Sequence, residues 1–276
     1  MAEPSTGEES GQSERDPGIG LPALAPASLA SLPREDVAAM RLAAREVRTC
    51  VGALDGADLN LVGELLRGHE TFFELEHYPP DDVFDRRSHS QYYYHAHRGL
   101  AGEHGHFHTF LRAAGMPAGL NPVAYAGDEP WPAGADALAH LIGISMDAYG
   151  DAIGLFAVNR WVTGDTWYSA GDVIRMLDRF EITHAHPSWP VNRWITAMLR
   201  LYRPEIEVLL LHRDAVVRRW AQAHPEADVF EDRALEITGE IRINVAQRLR
   251  DIEVPTQARS KRPVIRPDRI RQEGPS

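Results

Sequence analysis

The sequence predicts an α+β fold: an antiparallel sheet with a His-rich hairpin, packed by N- and C-terminal helices. Apolar residues recur at helical spacing around residues 37–51 and again after residue 170, and the segment between them alternates as strands do. Of the 276 residues, 43 % are hydrophobic and 25 % are charged, which is the profile of a globular protein rather than a collagen, a disulfide scaffold or a disordered chain.

The chain is expected to hold one domain between two tails. Residues 1–34 are rich in Pro, Gly, Ser, Ala and Glu and predict a disordered tail. Residues 35–255 are expected to form a single α+β domain, and residues 256–276 a basic, flexible tail. The basic tail leaves a nucleic-acid or protein adaptor as a possible class, which deletion of residues 256–276 would test.

The net charge and the cysteine content indicate which binding partners and which cellular compartment to expect. The formal net charge of −11 argues against non-specific binding to nucleic acid or to an anionic membrane. No apolar run approaches the roughly 20 residues that a membrane helix needs, and the acidic start does not resemble a signal peptide. The single cysteine, Cys50, cannot form an internal disulfide, so a reducing cytoplasm is the expected location.

Helices are predicted at both ends of the domain. One starts near Pro33, and a short second one is expected with Asp58 as its N-cap. Later helices are predicted over residues 170–180, from Ser188 to about Tyr202, and from Pro204 onward. Residues 234–250 fit either a helix or a strand because Gly239 interrupts the helical pattern.

Strands are predicted over residues 72–78, 90–97, 103–111, 140–147 and 152–161. The last two form a hairpin around Tyr149 and Gly150. Its expected register sets Met146, Ile144, Ile142 and His140 opposite Ile153, Leu155, Ala157 and Asn159. We expect Ile142, Ile144, Ile153 and Leu155 to be buried against the later helices, with Leu209 and Trp220 as partners.

The segment QYYYHAH-RGLAGE-HGHFHTF predicts a second hairpin that gathers histidines on one face. A four-residue loop from Gly99 to Gly102 would set Arg98 opposite Glu103. The same register would pair His97 with His104, His95 with His106, and Tyr93 with His108. Paired residues and residues two apart share a face, so the imidazoles would crowd one patch. A loop of three or five residues would instead separate the two histidine groups.

Such a patch is typical of a divalent transition-metal site. Neutral imidazoles offer lone pairs that a metal ion satisfies together, and they must be neutral to bind it. Nitrogen ligands without a thiolate cluster favour iron, copper or zinc. The candidate ligands are His95, His97, His104, His106 and His108.

Other residues could complete the site. A carboxylate from Glu103, Glu74, Glu76 or Asp147 would form a facial triad with two histidines. His140, His184 and His186 could each supply a ligand or an acid-base group. The alternative for His140 is a satisfied core histidine, and for His184 and His186 a helix-end contact. His69 and His77 could support the ligands, whereas His212 and His224 are expected to be structural.

The runs HYPPDDVFDRRSHSQYYYHAHR, EHGHFHTFL and HAHPSWPVNRW resemble a bacterial family of uncharacterised function. The likeness covers roughly residues 35–222 and implies no activity, ligand or catalytic residue.

The expected function is that of a metal-dependent enzyme acting on a small-molecule substrate, with non-haem iron or copper redox chemistry favoured. Zinc hydrolysis and a non-catalytic metal-binding or sensing role remain alternatives. An open metal position beside a pocket would favour an enzyme, and a site filled by protein ligands would favour the non-catalytic role.

Overall fold

The computed structural model describes residues 24–69, 71–99 and 101–254, and within these ranges it forms a mixed α+β fold. Its α-helices are α1 (Arg34–Asp55), α2 (Leu61–Leu65), α3 (Arg160–Thr163), α4 (Ala170–Leu177), α5 (Trp189–Leu201), α6 (Arg203–Ala223) and α7 (Val245–Asp251). Short 3₁₀ turns lie at Leu29–Ser31, Ala113–Gly115 and Gly134–Asp136.

Within these described ranges, six antiparallel strands form one sheet in which every strand pairs with its neighbours in sequence. They are β1 (Tyr78–Phe84), β2 (Ser90–His95), β3 (Gly105–Arg112), β4 (Leu138–Met146), β5 (Ala152–Val158) and β6 (Ile237–Arg242). The predicted fold class is therefore confirmed.

One face of the sheet builds the main core. Tyr92, Phe107, Ile144 and Leu155 lie on this face and belong to the same buried cluster as the helical residue Trp194. The ring centroids of Phe107 and Trp194 are 5.9 Å apart, and the Tyr92 hydroxyl donates to Asn192 Oδ1 on α5. Because side chains alternate along a strand, the neighbouring residues face the other way. The opposite face is therefore free to carry different chemistry.

A second, smaller cluster lies apart from the main core and is centred on Trp167, Val216 and Leu235. Trp220 packs at its edge and donates its indole N–H to Asp232. Trp220 thus packs away from the predicted hairpin core, whereas Leu209 belongs to the main core as expected.

The predicted hairpin around Tyr149 and Gly150 is formed by β4 and β5, with one shift in register. Ile144 pairs with Leu155 as predicted, but a bulge after Ser145 pairs Met146 with Ala152 instead of Ile153. Ile142, Ile144 and Leu155 are buried, while Ile153 remains half-buried.

Two local predictions are corrected, and one segment that the sequence left open is resolved. The first strand is not residues 72–78 but β1, because residues 71–77 form turns and irregular backbone. Asn60, rather than Asp58, caps α2 by accepting from the Gly63 N–H, while Asp58 has a positive φ of 55°. The ambiguous segment 234–250 divides into β6 and α7.

The last residues of the predicted N-terminal tail are ordered in the structure. Leu24, Leu29 and Leu32 pack against the main core, although the sequence pattern places them in the tail of residues 1–34. The remainder of that tail, residues 1–23, lies outside the described residues, as does the predicted basic tail of residues 256–276. In the described part of the chain, no helix combines the length and the apolar character needed to cross a bilayer.

Candidate metal centre

Three imidazoles converge on the sheet face that points away from the main core. His95 on β2 pairs with His106 on β3, and His108 lies two residues further along β3. Each of these histidines offers one ring nitrogen to a group in which all three nitrogens lie within 4.8 Å of one another. All three residues are buried. We call His95, His106 and His108 the histidine triad.

The triad leaves buried nitrogens without partners in the described structure. Neither ring nitrogen of His95 has a hydrogen-bond partner, and the same is true of Nε2 of His106 and of His108. A buried polar atom without a partner costs roughly 1–3 kcal/mol. A metal ion bound by one nitrogen from each ring would satisfy three of these atoms at once.

A carboxylate orients His106. Its Nδ1 lies 2.8 Å from Glu103 Oε1, so the ring donates from Nδ1 and keeps the Nε2 lone pair for the centre of the triad. A carboxylate that holds the far nitrogen of a histidine in this way is the usual support for a metal ligand. Of the four predicted carboxylates, Glu103 is therefore the one beside the site, and it faces a ligand's outer nitrogen.

The other three carboxylates lie elsewhere. Glu74 and Glu76 are exposed in the irregular segment before β1. Asp147 Oδ1 accepts the backbone N–H groups of Tyr149 and Asp151 in the turn between β4 and β5.

His108 has a histidine as its outer partner. Nδ1 of His108 lies 2.9 Å from Nε2 of His140, and both rings are buried. The backbone N–H of His140 donates to the buried carboxylate of Asp165 at 2.9 Å. His140, whose part in the candidate site the sequence leaves open, thus contacts the nitrogen of His108 that lies outside the triad.

Burial keeps the triad neutral. It lowers the pKa of His95 to about 2, with a further contribution from the neighbouring imidazoles of His106, His97 and His77. Burial also lowers the pKa of His108 well below its ordinary value. It lowers the pKa of His106 as well, although the hydrogen bond that His106 donates to Glu103 acts to raise it. Neutral imidazole is the form that binds a metal ion.

Glu103, by contrast, is held in its ionised form by its neighbours, against the effect of burial. Burial raises its pKa, but the hydrogen bond with His106 and the charge of Arg98 together hold the pKa below its ordinary value. The predicted contact between Arg98 and Glu103 is present, with Nη1 and Oε2 3.3 Å apart.

Aromatic rings surround the triad on the sheet. Phe156 lies 5.2 Å from His106 and 5.5 Å from His108, measured between ring centroids. Gly143 stands between His108 and Phe156 in the strand register, and a Cβ at this position would overlap the Phe156 ring. Phe156 was not among the predicted site residues, although a glycine within a strand is a recognised signal of close approach by another group.

The prediction that His104 shares the face of the other histidines is wrong. Its Nδ1 lies 2.7 Å from the Tyr94 hydroxyl, and its ring stacks on Phe72 at 5.1 Å. Tyr94 pairs with Phe107 and faces the main core. The cause is that pairing of β2 with β3 ends at His95 and His106, so no ladder holds His104 opposite His97.

His97 does lie beside the triad. Its ring centroid is 4.7 Å from that of His95 and 5.1 Å from that of His106. Its nitrogens stand outside the group that converges within 4.8 Å. His77 approaches from the other side, stacked on Tyr93 at 3.6 Å and 5.5 Å from His95.

The remaining histidines lie away from the site or have other partners. The backbone carbonyls of His184 and His186 accept from Asn192 Nδ2 at the start of α5, on the side of the main core. His69 packs edge-on against Tyr78, and His224 packs against Trp220.

The fold and the site together define an α+β protein with a buried three-histidine cluster on one sheet face. Residues 41–243 match the family described as Domain of unknown function (DUF6969), so the chain belongs to this family. The match contains the triad, Glu103 and His140, and it confirms the resemblance to an uncharacterised family. No curated protein and no solved structure matches the chain.

Proposed function

We propose that the protein is a metal-dependent enzyme that binds one divalent transition-metal ion through His95, His106 and His108. The observation that carries the proposal is the convergence of three buried nitrogens that have no other partner in the described part of the chain. The oriented rings of His106 and His108 support it, because a metal-binding histidine almost always donates a hydrogen bond from the N–H of its other ring nitrogen.

The ligand chemistry favours iron, copper or zinc. Three neutral nitrogens suit these ions, whereas calcium and magnesium prefer oxygen. We favour non-haem iron or copper redox chemistry because the rings of Tyr93 and Phe156 border the triad and, among the residues that the structure describes, no carboxylate converges with it. A bound redox metal would supply electron transfer to a small-molecule substrate at the coordination positions that the three histidines leave free.

Separate observations favour each of two alternatives, a zinc hydrolase and a non-catalytic metal-binding protein. Three histidines are also a known ligand set of catalytic zinc, which lowers the pKa of a bound water to about 7. The burial of all three ligands favours a non-catalytic binding or sensing role. We place the protein in the cytoplasm on the basis of its single, buried Cys50.

Metal content tests the proposal. Full-length protein stripped with a chelator is reloaded separately with Fe(II) without air, Cu(II) and Zn(II), and bound metal is measured after gel filtration. One ion per chain is expected for wild type, and well under a tenth of that for His106→Ala. The control is His224→Ala, which changes a histidine packed on Trp220 and should bind as wild type does.

The outcome also separates the classes. A visible spectrum that changes on exposure to air favours the redox enzyme, while retention of zinc alone favours the hydrolase or the binding protein. Full occupancy in His106→Ala, or no binding of any of the three metals by wild type, would exclude the proposed site.

A further inference from the structure

The rings around the triad are unequally exposed. Tyr93, Phe156 and His140 are buried. Of the rings that contact the triad in the described structure, those of His77 and His97 are the half-buried ones. The imidazoles of His77 and His97 are therefore the ring contacts of the triad that solvent reaches.

His97 is as close to the triad as the triad members are to one another. Its centroid distances of 4.7 and 5.1 Å to His95 and His106 compare with 4.6, 5.0 and 5.2 Å within the triad. The ring of His97 thus lies within the same range of distances as the rings that converge, although its nitrogens are not part of the converging group. His97 is half-buried, whereas His95, His106 and His108 are buried.

Arg98 fixes the backbone next to His97. Its guanidinium lies 3.2 Å from Ser145 Oγ and 3.1 Å from Glu240 Oε2, in addition to its contact with Glu103. The same group stacks over Phe156 at 4.1 Å. Its side chain is 4 % exposed, so these contacts hold it against β4, β5 and β6. The position of His97 is thereby tied to the sheet that carries the triad.

From these contacts we infer that His97 is a fourth, exchangeable metal ligand, which small anionic donors displace from the metal. The inference rests on the proposed function and specifies where an external ligand binds. Displacing a triad member would strand a buried nitrogen, whereas a displaced His97 can turn to water. The rings packed around the site restrict the displacing ligand to a few atoms, and azide is a suitable probe.

Cobalt(II) in place of the native metal reports the coordination directly, because its visible absorption changes with ligand number and type. Wild type, His97→Ala and His104→Ala are loaded with cobalt(II) and titrated with azide. We expect His97→Ala to retain one cobalt per chain, to show an altered spectrum without azide, and to bind azide at least tenfold more tightly because no imidazole competes. Free imidazole should restore the wild-type spectrum in this variant.

His104→Ala is the matched control. His104 belongs to the same segment, but it is bonded to Tyr94 on the other side of the sheet, so its removal should leave the cobalt spectrum and the azide affinity unchanged.

An unaltered spectrum and azide affinity in His97→Ala would overturn the inference while leaving the triad intact. Complete loss of cobalt from that variant would also overturn it, because His97 would then be an essential ligand. Failure of wild type to bind cobalt or any of the other metals would overturn the proposed function itself, and this inference with it.

Discussion

Nδ1 of His108 and Nε2 of His140 lie 2.9 Å apart between two neighbouring strands, with both rings buried. A hydrogen bond between two imidazoles needs one proton between them. If His108 presents its Nε2 lone pair to a metal, its own Nδ1 carries that proton and His140 accepts it. His140 is then required in the tautomer protonated at Nδ1, and the pair defines one protonation pattern.

The first prediction follows from this pair. His140→Leu leaves the Nδ1–H of His108 without an acceptor, and loss of such a partner typically lowers metal affinity 10- to 100-fold. His140→Gln offers an amide oxygen to the same N–H and should recover part of the loss. Affinity is measured by competition with a coloured chelator. Equal affinities in wild type and His140→Leu would show that His140 has no supporting role.

The second prediction concerns Glu103, whose carboxylate orients His106 and is paired with Arg98. Glu103→Gln can still accept a hydrogen bond but has lost its charge, so we expect metal affinity to fall by about tenfold and that of Glu103→Ala to fall further. The same chelator competition measures both.

Asp147→Asn provides the comparison for Glu103, because Asp147 is a carboxylate of the turn after β4 and binds backbone N–H groups there. A comparable loss of affinity in Asp147→Asn would show that the effect is general electrostatics and not orientation of His106.

The third prediction tests the main core. Ile144 and Leu155 pair across β4 and β5 and are 0 % and 1 % exposed. Truncating either to alanine should lower the free energy of unfolding by about 2–5 kcal/mol. Ile153→Ala should cost less because Ile153 is half-buried, and Leu42→Ala should cost little because Leu42 is 66 % exposed.

Urea unfolding of the metal-free protein measures all four variants, so that loss of metal does not contribute. A loss below about 1 kcal/mol for Ile144→Ala would contradict the placement of this hairpin in the core.

The fourth prediction is a dependence of stability on pH. Burial holds the pKa of His95 near 2 and that of His140 near 3, whereas histidine in an unfolded chain titrates near 6.5. Below pH 6.5 the unfolded chain therefore binds protons that the folded chain does not. Each such histidine lowers the free energy of unfolding by up to about 1.4 kcal/mol for every pH unit by which the pH falls below this value. Well above pH 6.5 it has no such effect, because the histidine is neutral in both states.

Metal-free protein should accordingly lose stability between pH 6.5 and 5, as measured by urea unfolding at several pH values. His95→Leu should show a shallower slope because one of the proton sites is gone. Identical slopes in the variant and in wild type would mean that His95 titrates in the folded protein much as it does in water.

The alternation of residues made the site partly predictable. Pairing of His95 with His106 and of Tyr93 with His108 followed from the loop length and from side-chain alternation, and the structure has both pairs. His104 could not be placed this way, because the ladder ends before it and a tertiary contact with Tyr94 decides its side. His140 was ambiguous because a bulge between Thr109 and Phe110 shifts its partner, and single-strand patterns do not show bulges.

The fold was predictable where patterns are long. The extents of α1, α5 and α6 follow apolar periodicity and proline positions, whereas α2 and β1 are short and depend on caps and turns that the pattern locates poorly. The division of residues 234–250 into β6 and α7 depends on the free edge of β5, which is a property of the assembled sheet.

The side chains of β2 and β3 point to two faces: Tyr92, Tyr94 and Phe107 fill the core, while His95, His106 and His108 gather on the opposite face. Residues on one face can be substituted without altering the side chains on the other face, so stability and chemistry can evolve separately by point mutation. A single inserted or deleted residue within either strand is different, because it exchanges the faces along the rest of that strand. The register of these strands is therefore constrained both by the packing of the core and by the convergence of the three imidazoles.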